Sequence, residues 1–135
     1  MIEIIEYGEE GITSWVNNLL NEIVKNPNEF IAMAKVNDGH DNYSLIVLFK
    51  NKCTIGKYTA LIHEWGTNDG LSGEAGRGFI KINDFIEEKN IEDIEIELSE
   101  EDSKKIGYQS KKAFDWEKRK DIWKKYLSEL KYKIE

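Results

Sequence analysis

Cysteine, proline and long apolar runs are all scarce in this chain of 135 residues. The single cysteine, Cys53, excludes an internal disulfide and fits a reducing compartment. No apolar run approaches the roughly 18 residues that a membrane-spanning helix requires. The opening segment, MIEIIEYGEE, is acidic where a secretion signal would be basic. These absences predict a cytoplasmic protein with no membrane span, in which Cys53 is a buried and unreactive side chain.

Histidine is almost as scarce, which limits metal binding and acid–base catalysis. The best set of metal ligands would be His40 and His63 with Asp38, Asp41 and Glu64. None of them has the H-E-x-x-H or C-x-x-C spacing that brings ligands together on one element. The chain also lacks G-x-S-x-G, a paired Cys/His signature and any phosphoryl-transfer motif. We therefore expect no metal and no cofactor, and an enzyme is the less favoured interpretation.

The abundant residues are those of a folded core. Hydrophobic residues make up 40% of the chain, and four Trp, six Tyr and five Phe are too many aromatics for a disordered segment. A length of 135 residues suffices for one domain with a substantial core. No linker, repeat or low-complexity stretch divides it. We expect a single domain over residues 1–135.

The N-terminal part of the chain predicts one helix and a series of strands. Residues 2–7 alternate like a short first strand. Seven apolar residues with helical spacing then predict an N-terminal amphipathic helix that Pro27 ends: Ile12, Trp15, Val16, Leu19, Leu20, Ile23 and Val24. Residues 30–36, 43–49 and 58–65 predict three consecutive strands, with an Asp-Gly turn between the first two. Alternation along the third strand places His63 and Trp65 on one face and Glu64 on the other.

Glycine is concentrated immediately after the third strand. Five glycines fall within residues 66–78: Gly66, Gly70, Gly73, Gly76 and Gly78. Glycine adopts positive φ without a Cβ clash, so this composition predicts a pliable surface loop over residues 66–78. We expect residues 79–82 to return as a strand, followed by a short helix over residues 84–90.

The C-terminal part predicts an edge strand and two helices. Ile94, Ile96 and Leu98 alternate with Glu95 and Glu97, which is typical of a one-sided antiparallel strand. The stretch Ser-Glu-Glu-Asp over residues 99–102 resembles a capping box, so a helix should start there. That helix is expected to break near residue 107 and to restart around residue 113. An apolar stripe then marks a packing helix: Trp116, Trp123, Leu127, Leu130 and Ile134.

These elements predict the α+β class. The strands follow one another through turns, while helices gather at the two ends of the chain. We therefore expect a mostly antiparallel β-meander sheet with the N-terminal amphipathic helix and the C-terminal helices packed on one face of it.

Charge is distributed unevenly along the chain. Residues 1–103 carry 21 acids and 8 bases, a net charge of −13, whereas residues 104–135 carry 5 acids and 11 bases, a net charge of +6. The acidic density is greatest from Asp84 to Asp102, where ten acids face only Lys89. Such a field repels nucleic acid and attracts basic protein surfaces. We therefore expect a basic protein as the partner, and neither nucleic acid nor a membrane.

Acids beside aromatic residues are suited to capture a basic surface. We assign partner binding to two groups: Glu64, Trp65, Asp69 and Glu74 beside the glycines, and Glu92, Asp93, Glu95 and Glu97 in the acidic strand region. In size, acidity and α+β layout the chain resembles the small acidic immunity proteins that neutralise bacterial toxins, frequently nucleases. It also resembles phage-encoded inhibitors of defence enzymes. The resemblance implies a non-enzymatic inhibitor of a basic partner protein.

The glycine-rich segment supports a second hypothesis, a protein that binds a nucleotide or another anionic metabolite. Backbone amides at Gly73, Gly76 and Gly78 could hold an anion, and Arg77 could add a charged fork. The order of residues is not G-x-x-x-x-G-K-[ST], and we expect no helix to present its N-terminus there. Nearby acids would also repel an anion. This hypothesis therefore ranks second.

Overall fold

A five-stranded sheet organises the computed structural model, which describes residues 1–70, 73–106 and 114–134. Its strands are β1 (Ile2–Glu6), β2 (Phe30–Asn37), β3 (Asn42–Lys50), β4 (Tyr58–Asn68) and β5 (Ile94–Glu97). The helices of the described residues are α1 (Ser14–Lys25), α2 (Gly73–Glu88), α3 (Glu100–Ile106) and α4 (Trp116–Leu127), with a 3₁₀ helix over Ser128–Lys133. The predicted α+β class is confirmed, although α1 follows β1 rather than opening the chain.

The sheet is mixed, with the strand order β1-β4-β3-β2-β5. Its centre is the predicted antiparallel meander of β2, β3 and β4. Both edges differ from the prediction, because β1 runs parallel to β4 and β5 runs parallel to β2. The helix α1 connects β1 to β2, and α2 connects β4 to β5. In both cases the helix joins two strands that run in the same direction. Such a helix returns the chain to the end of the sheet where it began, which makes parallel pairing possible.

Helices cover both faces of the sheet, whereas the sequence predicted one covered face. One face packs against α1 and α2, and its buried residues include Met33, Leu45 and Val47 with Leu19 and Ile82. The opposite face packs against α3, α4 and the 3₁₀ helix. That second core includes Ala34, Val36, Ile46 and Leu48 with Ile106, Trp123 and Leu130. The central strands are thus apolar on both sides, which explains their continuous hydrophobic sequences.

The predicted strand over residues 79–82 is wrong, because these residues lie within α2. Ala75, Phe79, Ile82 and Ile86 follow helical spacing, and the last two are buried. Gly78 packs tightly against the residue before α1 and against β4, since a Cβ there would meet Thr13 Cγ2 at 2.5 Å and Thr67 Cγ2 at 3.0 Å. The glycine-rich segment is therefore the end of a strand and the start of a tightly packed helix. Residues 71–72 lie outside the described residues.

A bulge in β4 changes which side chains face α4. Tyr43 pairs with Thr67, but Leu45 pairs with His63, so Ser44 alone faces three residues of β4. At the centre of the bulge Trp65 has φ 56, and its N–H donates to Ser44 Oγ at 3.1 Å. The extra residues place the ring of Trp65 6.1 Å from that of Trp123, on the face occupied by α4. The prediction that Trp65 shares a face with His63 is therefore wrong, because a bulge interrupts the alternation.

The predicted helix start after Ser99 is confirmed by α3. Ser99 Oγ accepts the N–H of Asp102 at 3.1 Å, while the Asp102 carboxylate reaches α4 instead of completing a capping box. It accepts from Tyr126 Oη at 2.6 Å and pairs with Lys125 Nζ at 2.8 Å. Burial alone would raise the pKa of Asp102, but the hydrogen bonds from Lys125, Tyr126 and Ser99 hold it below its ordinary value. The predicted break near residue 107 and restart around residue 113 lie outside the described residues.

Cys53 is exposed, which corrects the expectation of a buried thiol. It lies between β3 and β4 in a turn whose residues, 51–57, are all exposed. Asn51 Oδ1 accepts the N–H of Cys53 at 2.8 Å and holds the start of this turn. The apolar character of cysteine favoured burial, but the polar residues and glycine around it place the segment outside the core.

Candidate functional site

One end of the sheet collects acidic side chains from three separate segments. Asn42 at the start of β3 pairs with Asn68 at the end of β4, so the next residues outward, Asp41 and Asp69, are neighbours. The N–H of Asp69 donates to the carbonyl oxygen of Asp41 at 3.1 Å. On β5, Glu95 Oε1 accepts a hydrogen bond of 3.0 Å from Tyr43 Oη. We call Asp41, Asp69 and Glu95 the acidic end of the sheet.

Negative charges at the acidic end repel one another. Partial burial and then the carboxylates of Asp41 and Glu95 raise the pKa of Asp69. Burial and the hydrogen bond to Glu95 raise the pKa of Tyr43 to about 12, so its hydroxyl remains a proton donor at neutral pH. Within the described parts of the chain, no ion pair includes any of the three carboxylates. A positive charge that arrived there would relieve the repulsion.

Two packed aromatic rings, Tyr43 and Phe79, lie beside the acidic end. The rings of Tyr43 and Phe79 lie 4.6 Å apart, and Phe79 is partly exposed. Lys35 is buried beside them, with Nζ 5.4 Å from the Phe79 ring centroid. It donates to Asn83 Oδ1 at 2.8 Å and pairs with Asp93 at 3.1 Å. α2 and the sheet therefore fix both rings, and Tyr43 connects them to Glu95.

The acidic end contains part of the predicted partner-binding set and adds to it. Asp69 and Glu95 belong to it directly, and Glu97 follows on β5 with an exposed side chain. Glu74 is exposed in the first turn of α2. The sequence predicts Asp41 only as a possible metal ligand and Tyr43 only as a strand residue. Both residues lie beside the Asp-Gly turn, and this position could have identified them as site residues, because turn residues that flank a rigid strand often bind partners.

Glu64 and Trp65 lie in the interior, at 2% and 3% exposure, and do not contribute to an accessible surface. Glu64 Oε2 accepts from Arg119 Nε at 3.1 Å and from Trp123 Nε1 at 3.0 Å. Arg119 also pairs with Glu6 through Nη2. The indole N–H of Trp65 donates to the carbonyl oxygen of Ile106 at 3.0 Å. Both residues therefore join the sheet to the C-terminal helices.

The remaining two acids predicted for partner binding, Glu92 and Asp93, are held by groups within the chain. Glu92 accepts from Tyr132 Oη at 2.9 Å and pairs with Lys133 at 3.1 Å. Those two contacts lower the pKa of Glu92. Asp93 pairs with the buried Lys35. Since each already has a nearby cation, these two add less to the outward negative field than the acidic end does.

The glycines assigned to anion binding serve mainly in packing. Gly76 and Gly78 are buried where α2 meets its neighbours, whereas Arg77 between them is exposed. Gly73 begins α2 with φ +71. The amide of Gly78 lies beyond the first turn of the helix, where backbone N–H groups bond within the helix. The expectation that no helix presents its N-terminus here is wrong, because α2 begins at Gly73. Gly73 and Gly76 lie in its first turn, but Gly76 is buried in packing, so the three glycines do not form one exposed row of amides.

The histidines and carboxylates considered as metal ligands are separated and engaged elsewhere. Asp38 is buried and accepts from the N–H groups of His40 and Asn42 at 2.7 and 3.3 Å, which closes the β2–β3 turn. His63 is buried, with Nδ1 2.8 Å from the carbonyl oxygen of Tyr7. His40 is exposed on the turn. In the part of the chain that the structure describes, no three His, Cys, Asp or Glu residues are grouped to hold a metal.

Comparison with known proteins gives no family for this chain: no protein-family model, curated protein or solved structure matches it. Among the described helices, none combines the length and apolar character needed to cross a bilayer. The fold is an α+β sheet with helices on both faces, and the acidic end is its most distinctive surface. We therefore infer the function from this surface.

Proposed function

We propose that this protein is a non-enzymatic inhibitor that binds a basic partner protein through the acidic end of its sheet, as an immunity protein does. The observation that supports the proposal is the crowding of Asp41, Asp69 and Glu95, none of which forms an ion pair with another described residue, together with the raised pKa of Asp69. Repulsion among these groups opposes folding, and a lysine or arginine of a partner would convert it into attraction. Charge complementarity of this kind also speeds encounter.

The shape of the surface favours a protein partner over a small ligand. Two apolar grooves formed by the described residues, of about 450 and 420 Å³, lie elsewhere, beside the start of β2 and beside β1. At the acidic end Tyr43 donates to Glu95 and packs against the partly exposed ring of Phe79. An arginine from a partner could place its guanidinium among the carboxylates and its apolar stem on the ring. A few such desolvated anchors supply most of the affinity of an interface.

The nucleotide-binding alternative ranks lower, because Gly76 and Gly78 are buried in helix packing. It has a direct test in thermal unfolding with a panel of nucleotides. A ligand that binds only the folded state must raise the unfolding temperature. A clear rise that Arg77→Ala abolishes would favour this alternative over the inhibitor.

The proposal is tested first by covalent capture. A photo-crosslinking amino acid replaces Glu74, which is exposed in the first turn of α2 beside the acidic end. The control places it at Glu88, exposed in the last turn of the same helix and roughly 21 Å away along the helix axis. In a lysate of the organism that encodes the chain, we expect a basic protein to be captured at position 74 and not at position 88. Equal capture at both positions, or capture of acidic proteins only, would contradict the proposal.

The captured protein is then purified and its affinity measured against two charge-reversed variants. One carries Asp41→Lys, Asp69→Lys and Glu95→Lys; the control carries Glu87→Lys, Glu88→Lys and Glu129→Lys, which change the net charge equally at exposed sites. We expect Kd to rise by about 100-fold or more in the first variant, because like charges would now face each other. The control should change Kd by less than about fivefold, through long-range attraction alone. An equal effect in both variants would refute a specific acidic site.

A further inference from the structure

The two edges of the sheet differ in how well they are protected. At one edge β5 has only four residues, and the exposed carboxylates of Glu95 and Glu97 discourage a further strand. The other edge is β1, which contains three isoleucines, and Ile5 is 38% exposed. Beside β1 lies the groove of about 420 Å³, whose apolar lining includes Ile2, Ile4, Leu127 and Ile134. An edge strand next to an open apolar groove is a template for another strand.

The backbone of β1 directs alternate groups away from the sheet. The carbonyl oxygen of Met1 accepts from Tyr58 N–H at 3.0 Å, and the N–H of Tyr7 donates to Ile62 O at 2.8 Å. Both residues are odd-numbered, and backbone groups alternate between the two sides of an extended strand. The even-numbered residues Ile2, Ile4 and Glu6 therefore direct their N–H and C=O groups toward the outer edge. In the sheet of the described residues, β1 is the terminal strand on that side.

We propose that β1 pairs with β1 of a second copy of this chain, antiparallel about a two-fold axis at Ile4. Ile4 then lies opposite Ile4 of the second copy, and Ile2 lies opposite Glu6. These are the residues whose backbone groups point outward, so each opposed pair exchanges two hydrogen bonds. Shifting the register by two residues loses one of the three opposed pairs. The register at Ile4 also sets Glu3 opposite Ile5, so no like charges face each other.

Charge on the rim of the groove fits the same register. Lys124 and Lys131 line the groove together with Ile2. Pairing brings Glu6 of the second copy opposite Ile2, and therefore toward these lysines. The Glu6 side chain pairs with Arg119 and is 35% exposed. The apolar linings of the two grooves meet across the axis, and the surface is self-complementary as a two-fold interface requires. The acidic end stays uncovered, so this proposal does not depend on the proposed function.

Disulfide trapping tests both the dimer and its register. The exposed Cys53 is first removed by Cys53→Ser. In the proposed dimer, Glu3 and Ile5 of the two copies form non-hydrogen-bonded pairs with Cα atoms about 4.5 Å apart, within the range of a disulfide. We expect the Glu3→Cys and Ile5→Cys double variant to form a covalent dimer under mild oxidation. Glu3→Cys alone should form much less, because those two cysteines would be diagonal, about 7–8 Å apart. Equal trapping in both would overturn the register.

Sedimentation equilibrium of the unmodified chain tests the association itself. We expect a monomer–dimer equilibrium that Lys124→Glu with Lys131→Glu weakens by about tenfold or more, because glutamates would then face Glu6 of the second copy. The matched control, Lys81→Glu with Lys89→Glu, makes the same change at two exposed positions, one in α2 and one just after it, and should leave the dimer within about twofold of the original. A chain that stays monomeric up to millimolar concentration, or a control that weakens the dimer equally, would overturn the proposal.

Discussion

Arg119 connects α4 to the sheet through charges that are almost entirely removed from water. Its side chain is 5% exposed and that of Glu64 is 1% exposed, with Glu6 as a second, less buried partner. A further hydrogen bond of 2.8 Å goes from Arg119 to the carbonyl oxygen of Phe114. Since the charges are so well enclosed, removal of one partner leaves the other buried and incompletely compensated.

Glu64→Gln tests this dependence with little change of shape. We expect the free energy of unfolding to fall by about 3 kcal/mol, because among the described residues Arg119 would keep only the more exposed Glu6 as an anionic partner. The measurement is urea unfolding at neutral pH. Glu97→Gln, an exposed carboxylate on β5, is the control and should change stability by less than about 0.5 kcal/mol. A loss below about 1 kcal/mol for Glu64→Gln would show that the ion pair is not the link between α4 and the sheet.

Residue types alone could not identify this network. An acidic residue is usually solvated, which is why Glu64 was assigned to a binding surface. Its actual partner lies 55 positions away in the sequence, on a helix whose position depends on the whole fold. The same holds for Trp65, which changes face because of a bulge that no local pattern announces. Asp69 and Glu95 could be found because strand ends and turns expose side chains regardless of distant contacts.

Among the elements, those with one strong local signal were predicted well. The helical stripe and Pro27 defined α1, and Asp-Gly between apolar runs defined the β2–β3 hairpin. By contrast, only the end of α2 is predicted as a helix, over residues 84–90. Its first part is predicted as a loop and a strand, because glycine is a poor helix former when nothing packs against it. Here Gly78 is needed inside the helix, since Thr13 and Thr67 occupy the space where a Cβ would lie. Close packing of helix on strand therefore outweighs helix propensity.

Gly78→Ala distinguishes packing from propensity in α2. Helix propensity alone would raise the free energy of unfolding by about 1 kcal/mol. The clash with Thr13 instead predicts that the free energy of unfolding falls by about 2 kcal/mol in total. The double variant with Thr13→Ser removes the Cγ2 that the new Cβ would meet at 2.5 Å, and it retains the hydroxyl that bonds to Gly66 O at 2.5 Å. Chemical denaturation of the unmodified chain, the two single variants and the double variant gives the coupling energy between the two positions. We expect the double variant to be more stable than the sum of the single effects, and strict additivity would refute the contact.

For the whole molecule, the order and direction of strands were beyond the reach of local pattern. The sequence predicted the three central strands, but β1 and β5 are placed by the helices that connect them and by the faces those helices cover. Charge distribution was easier to predict at this scale than topology, because net charge is a property of composition. Three acids of the negatively charged residues 1–103, Asp41, Asp69 and Glu95, do meet at one end of the sheet. Their mutual repulsion there opposes folding.

The acidic end should lower the stability of the free protein, and Asp69→Asn measures this effect. The folded-state pKa of Asp69 is raised, first by burial and then by Asp41 and Glu95. A carboxyl with a raised pKa stabilises the fold when protonated, and this contribution is lost as pH rises from the ordinary value of 3.8 through the folded value. We therefore expect Asp69→Asn to raise the unfolding temperature at pH 7 and to leave it nearly unchanged at pH 3. Glu88→Gln, at an exposed position of α2, should raise it at neither pH. If Asp69→Asn lowered the unfolding temperature at pH 7, the carboxylate would be stabilised within the chain. The repulsion that we assign to partner capture would then be absent.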